Sequence, residues 1–296
     1  MKKNVKQKEL YSARVRQNYY NYYYSMFYNL FMGKYKVDGL DYQQNDYMFR
    51  KFFDVGHCAA FNIKNTDILG LADFAGVTYN YLDFPDTVTL INNRGAAFIP
   101  QDPQVVDEQC VIGWIQRSGK PIRETVELYA SKLSAVDMLI NIAEKSQKTP
   151  WLIGVDPGME TAVREFINAL DNDEPNLFFR ADELNLKALV SGAPYIIDKL
   201  YNYKQAIMNE ILTFLGVNNL GNIEKKQHLL SDEVHANNQL VQNCSDNFKV
   251  PLEEFIERIN TTLKHNYKLI ENTVSMSTTD EDIFGQDGQE QNELLR

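Results

Sequence analysis

The chain has 296 residues, 44% of them hydrophobic, which supplies a real core and excludes an intrinsically disordered protein. Its 30 Lys and Arg stand against 40 Asp and Glu, a net charge of −10, which argues against a protein that wraps nucleic acid tightly, since gripping phosphates takes a basic face. A surface along which DNA slides against mild repulsion stays open, while the lack of any apolar run of about 18 residues and of an apolar secretory core in MKKNVKQKEL predicts a soluble, unexported chain.

Residues 1–46 are basic and aromatic. Lys2, Lys3, Lys6, Lys8, Arg14 and Arg16 crowd the start, and Leu10, Ala13, Gln17, Tyr20, Tyr24, Phe27 and Phe31 follow at three- and four-residue steps. That spacing predicts a helix from about Lys8 to Met32. Its tyrosines read as packing residues, with base stacking as the less favoured role. Residues 47–120 change texture: RKFFDVGHCAAFNI, GVTYNYLDF, DTVTLINN and CVIGWIQ are short β-rich runs broken by turn residues, and predict a β-rich region.

Pro121 opens a long periodic segment to about Ser146, with Ile122, Val126, Tyr129, Leu133, Val136, Ile140 and Ala143 in one stripe. Lys145, Lys148 and Pro150 mark its end. TPWLIGVD and NLFFRA read as strands around a helical piece from about Met159 to Leu170. A second striped helix, Ile196, Leu200, Tyr203, Ile207, Ile211 and Phe214, stops at Gly216, a common helix C-cap. These pieces make up residues 121–217. Residues 218–250 are too long and polar for a simple connection and read as a functional loop. Pro251 is expected to start a third helix within 251–274, with Leu252, Phe255, Ile256, Ile259, Leu263, Tyr267 and Ile270 inward. Residues 275–296 form an acidic tail expected to be disordered.

Little in the chain points to catalysis. GWIQRSGK (Gly113–Lys120) separates its glycines by five residues where a phosphate loop needs four, and Pro121 stands where Ser or Thr must reach magnesium. Cys58, Cys110 and Cys244 contain no CxxC pair and read as reduced packing residues. His57, His228, His235 and His265 lack ligand spacing, and Asp171, Asp173 and Glu174 read as an acidic turn before Pro175, so neither metal nor cofactor is expected. Lys225 and Lys226, in the polar loop, are the basic feature of the mid-chain that could meet a phosphate; a solvated loop charge is the competing reading. A monomeric or dimeric nucleic-acid or scaffold-binding protein using the tyrosine tract is the alternative from another class, and a metal-dependent nuclease a third.

QKTPWLI (Gln147–Ile153), GAPYIIDKL (Gly192–Leu200) and NEILTFLGVNN-x-x-NIEKKQHLLSDEV (Asn209–Val234) closely resemble the upper collar, or portal, proteins of small short-tailed phages with protein-primed genomes. The resemblance is densest from about Tyr129 to Asn247. It implies an α+β fold of long channel-wall helices with a small α/β wing built on a mixed sheet. It further implies a ring of about twelve identical subunits, a homo-dodecamer, at one capsid vertex. The two striped helices would bury apolar faces on neighbours, and residues 218–250 would be a channel loop carrying Lys225 and Lys226 toward double-stranded DNA. Lys199 matches a family lysine that faces the channel. Val190 stands where relatives carry a second, with Lys187 three residues earlier. The basic tail, Lys2, Lys3, Lys6 and Lys8, resembles the segment that contacts the packaging ATPase and, in some relatives, a packaging RNA. The resemblance also implies major capsid, scaffold and lower collar or tail proteins as partners, a place in the virion after synthesis in the host cytoplasm, and no enzymatic activity.

Overall fold

In chain order the elements are α1 (Lys2–Lys34), β1 (Tyr35–Asp38), α2 (Tyr42–Asp54), β2 (His57–Asn62), β3 (Leu69–Tyr79), β4 (Pro85–Ile91), β5 (Gln104–Val105), β6 (Cys110–Trp114), α3 (Ile122–Lys148), β7 (Trp151–Gly154), β8 (Lys187–Val190), α4 (Ile197–Phe214), α5 (Ser231–Leu263) and β9 (Lys268–Glu271). The computed structural model describes residues 2–64, 66–91, 99–148, 151–154, 187–190, 195–218 and 231–272. Two units are formed, one from Met1–Tyr23 with Ala130–Met208, the other from Tyr24–Tyr129 with Asn209–Arg296. The division falls inside α1, α3 and α4. α1, α3 and α4 thus each contribute to both units.

The second unit is built on a five-stranded sheet in the order β5-β4-β3-β2-β6. Its ladders are antiparallel, and the mixed character expected of the wing is confined to an isolated parallel bridge between Val106 and Cys110. Short Asn- and Asp-containing turns join β2 to β3 and β3 to β4 as hairpins, which dictates antiparallel pairing there. Ala59, Phe61, Ala72, Val88, Leu90 and Ile112 form the core of the sheet. α5 packs close to β6: Gly113 carries no Cβ because one would overlap the Phe255 ring. Around it Phe31, Phe49, Phe52, Phe53, Phe248 and Phe255 are buried, with Phe52 and Phe255 edge to face at 5.7 Å.

Two expectations are corrected here. Tyr47–Asp54 does not belong to the β-rich region; it is the second half of α2, which begins at a capping box in which Asp41 accepts from the Gln44 N–H and Gln44 accepts from the Asp41 N–H. The third helix does not start at Pro251 but twenty residues earlier, at Ser231, so the reading of 231–250 as loop is overturned. Proline removes the N–H that would reach the Asn247 carbonyl. Phe248, Leu252, Phe255 and Ile256, all buried, hold the helix through that gap, tertiary packing overriding local propensity.

In the first unit, the expected stripe on α3 is buried at Leu133, Val136, Ile140 and Ala143. β7 pairs with β8, Trp151 opposite Val190 and Gly154 opposite Lys187. The second of these strands lies at Lys187–Val190. NLFFRA, the helical piece at 159–170, the acidic turn at 171–174, His228 and the acidic tail lie outside the described residues. α4 ends close to its expected boundary, with Gly216 at φ +65° and the Val217 N–H bonded to the Leu212 carbonyl.

Asn45 shows how a buried polar side chain shapes the second unit. Its amide accepts from the Val37 N–H at 2.8 Å and donates to the carbonyls of Val37, Leu40 and Asp41, closing the turn from β1 into α2. Asn45→Ala is expected to cost about 3 kcal/mol, because it strands these buried backbone groups. Urea denaturation at equilibrium measures this, and a loss below about 1 kcal/mol would show that water replaces the amide.

Candidate functional site

In the first unit a buried polar pin ties three helices together. The Tyr23 hydroxyl on α1 donates to Asp137 Oδ2 on α3 at 2.5 Å, and Lys204 Nζ on α4 pairs with Asp137 Oδ1 at 2.7 Å. Asp137 is only 8% exposed, so the pair is shielded from water. Burial and the hydrogen bond to Asp137 push the Tyr23 hydroxyl up to about 12. Burial opposes charge on Lys204, but the bonds to Asp137 and Tyr23 outweigh it and raise its pKa. Asn141 adds a second tie from α3, donating to the Tyr19 hydroxyl at 3.1 Å. A cavity of about 770 Å³, lined by Tyr19, Tyr22, Asp137, Asn141, Tyr201 and Lys204 among others, opens beside the pin.

The same unit leaves large apolar side chains bare. On α3, Leu139 and Ile142 are 51% and 58% exposed, three residues apart on a face other than that of Leu133 and Ile140. Around the start of α4, Tyr195, Tyr201 and Tyr203 are 60%, 47% and 55% exposed. α3 thus carries two apolar stripes, one covered by its own chain and one left bare among the described residues. Scattered exposed leucines need no explanation, but a second stripe at helical spacing does.

The second unit holds a buried lysine at the end of α4. Lys34, 3% exposed, donates to the Leu215 and Gly216 carbonyls, both at 2.9 Å, and to Ser245 Oγ at 2.7 Å. These carbonyls are unpaired by the helix itself, and a cation there also suits the helix dipole. A Cβ on Gly216 would come 2.7 Å from the Ser245 backbone, so glycine is needed for close approach as well as for its positive φ. Lys34 therefore fixes the point from which the chain leaves α4 toward Lys225. A third cluster lies where α2 meets the sheet. Burial would raise the Asp73 carboxyl, but hydrogen bonds from His57 at 2.8 Å and Lys51 at 3.1 Å more than reverse this and hold it at about 2.

The residues expected to act are placed as follows. Lys199 is exposed in the first turn of α4, on the same face as Ile196 and Tyr203. Lys187 opens β8, opposite Gly154, and Val190 closes it. Lys2, Lys3, Lys6 and Lys8 lie in the first turns of α1. Lys225 and Lys226 lie outside the described residues. His57 bonds Asp73, and His265 bonds Asn62 and stacks on Tyr267. GWIQRSGK does run from strand to helix, but its turn closes on itself, Gln116 Nε2 donating to the Lys120 carbonyl at 2.6 Å. Among the described residues no group of His, Cys, Asp or Glu is placed to hold a metal, and no described helix is long and apolar enough to cross a membrane. The Lys34 node and the second stripe of α3 were not anticipated. A cation at the last position of a helix signals a cap for that helix's own end, not for the end of α4 that Lys34 meets.

A chain of the structure described as the portal and tail of native bacteriophage P68 superposes with a TM-score of 0.51, covering 100% of this chain and 98% of that one; at 12% identity the likeness is one of fold. The family model described as Phage Connector (GP10) matches residues 2–273, and the chain belongs to that family.

Lys34 makes the second unit sensitive to pH. Burial pulls its ammonium down from 10.5 to about 8, against the pull of Glu271, which favours the charge. Because the folded value lies below the unfolded one, the unfolded chain binds more protons between these two pH values. The destabilisation from this group is complete below about pH 8 and is relieved as the pH rises above it. Unfolding free energy is expected to rise on the order of 1 kcal/mol from about pH 8 to 9.5 in the parent, and Lys34→Met to lack that rise. Identical pH profiles would exclude a buried, charged Lys34.

Proposed function

We propose that the chain is the portal, or head-tail connector, subunit of a phage, and that about twelve copies close into a ring through which double-stranded DNA is packaged and ejected. The observation that carries the reading is the uncovered apolar stripe on α3, together with the bare tyrosines around the start of α4, in a chain of the phage connector family. In a ring each subunit meets two neighbours through different faces. A helix that is apolar on two sides fits that arrangement, with its own chain behind and a neighbour in front.

The charge fits a passive conduit. At −10 per copy, about twelve copies carry roughly −120, a field felt by DNA within about 8–10 Å in salt. Repulsion keeps the duplex centred and free to move, and Lys199, Lys187 and the loop lysines Lys225 and Lys226 supply weak contacts to phosphates that do not read sequence. The basic tail with Lys2, Lys3, Lys6 and Lys8 docks the packaging ATPase, joined in some phages by a packaging RNA. Capsid, scaffold and tail proteins complete the vertex of the virion. The hydrolysis that drives packaging belongs to the separate motor, and this chain works without cofactor.

Leu139→Asp combined with Ile142→Asp is expected to leave helix content unchanged by circular dichroism and to convert the ring into single copies in analytical ultracentrifugation. A parent chain that already sediments as a single copy at high concentration defeats the ring reading. Within the ring, Lys225→Ala with Lys226→Ala is expected to lower retention of full-length DNA after packaging; unchanged retention removes the loop from the mechanism.

A further inference from the structure

Beside β6 the second unit has a groove of about 540 Å³ whose floor is apolar: Phe84, Trp114, Pro251 and Phe255. Phe84 is 57% exposed and meets Trp114 edge to face at 6.1 Å. Gly119, at φ +67°, turns the chain at the groove wall, where an added Cβ would come no closer than 3.9 Å to Trp114. The rim carries two guanidinium groups, those of Arg117 and Arg258. Arg117 has its side chain 82% exposed and meets Glu254 at 3.6 Å, an exposed pair of little worth that leaves the guanidinium open to a better ligand. Arg258 is held by Asp107 at 2.6 Å and by the Ile112 carbonyl at 2.9 Å, a neutral pair that leaves Arg117 as the guanidinium open to a ligand. An apolar floor under guanidinium groups suits a short peptide in which carboxylates precede a large apolar anchor.

The chain itself contains such a peptide. After Asn272 come 24 residues with six carboxylates and one arginine, and three acids, Asp280, Glu281 and Asp282, stand directly before Ile283 and Phe284, the one aromatic of this segment. The tail starts within reach. Asn272 is bonded to the Lys34 carbonyl, and its neighbour Glu271 accepts from Ser245 on α5. Pro251, in the groove wall, lies six residues further along that helix, about 9 Å at its rise per residue. The eight residues from Asn272 to Asp280 span up to about 26 Å when extended. We propose that the groove between Trp114 and Pro251 is a docking site for the chain's own segment Asp280–Phe284, with Phe284 on the aromatic floor and the acids at Arg117. The proposal does not depend on ring formation.

Trp114 is one of two tryptophans, so in a Trp151→Phe background it reports on the groove alone. The expected result is that Phe284→Ala, and separately the set Asp280→Asn, Glu281→Gln and Asp282→Asn, raise acrylamide quenching of Trp114 about twofold by uncovering the ring. High salt is expected to do the same in the otherwise unaltered tail, because the acids act through exposed charge. These substitutions touch none of the described contacts, and circular dichroism checks that the fold is kept. Equal quenching with and without them overturns the proposal. Shielding of Trp114 that is lost on dilution and is indifferent to the tail substitutions overturns it as well, and gives the groove to a second copy of the chain.

Discussion

The constraint from which the rest follows is that α3 is apolar on two sides. One stripe, Leu133, Val136, Ile140 and Ala143, is buried by the chain itself; the other, with Leu139 and Ile142, is left bare among the described residues. A helix can present one face to its own core and only one more to a partner, so a stripe of this kind is satisfied by a single repeated neighbour. Burying a leucine or isoleucine is worth roughly 1.5–3 kcal/mol. A handful of such side chains per junction, repeated around a closed ring, yields a stable assembly from individually modest contacts.

Two-sided apolar helices carry a hazard, because apolar stripes alone tolerate sliding by a turn. The polar pins counter it. Tyr23, Asp137 and Lys204 come from three different helices, and displacing any of them by one turn would leave a buried carboxylate or ammonium without its partner. That penalty, on the order of 3–5 kcal/mol, exceeds what a shifted apolar contact could recover. Apolar stripes thus supply affinity and the buried charges supply register.

How much of this was legible in the chain depended on how local each cause is. α3 and α4 end within two residues of their expected limits, because proline, glycine and the stripes themselves act within a turn or two. α2 carried an equally local signal, the Asp41 to Gln44 capping box, but the aromatic run Phe49, Phe52, Phe53 suggests a strand unless its three-residue spacing is weighed first. The passage of α5 through Pro251 could not be read locally. It depends on Phe255 meeting Gly113 and Phe52, residues distant in sequence. The site divided in the same way. Lys199 stands exposed on α4 as a helix position implies, whereas nothing near Lys34 announces that its ammonium will meet Gly216 and Ser245, some 180 and 210 residues away.

That distant contact fixes how the chain leaves α4. At Leu215 and Gly216 the chain leaves α4 with its last carbonyls held by Lys34, and Lys34 is in turn held by Ser245 on α5 and lies within 4.0 Å of Glu271 in β9. Glu271 also pairs with Lys249 of α5 at 3.0 Å. One ammonium therefore joins the end of α1, the end of α4 and the body of α5, before the chain runs on to Lys225. Several hydrogen bonds in parallel thus hold the end of α4 in place. A buried lysine is a costly way to achieve this, since an apolar side chain would pack there without desolvation. Only a cation with three donors can satisfy two helix-end carbonyls and a hydroxyl at once, and that requirement explains why the position tolerates the charge.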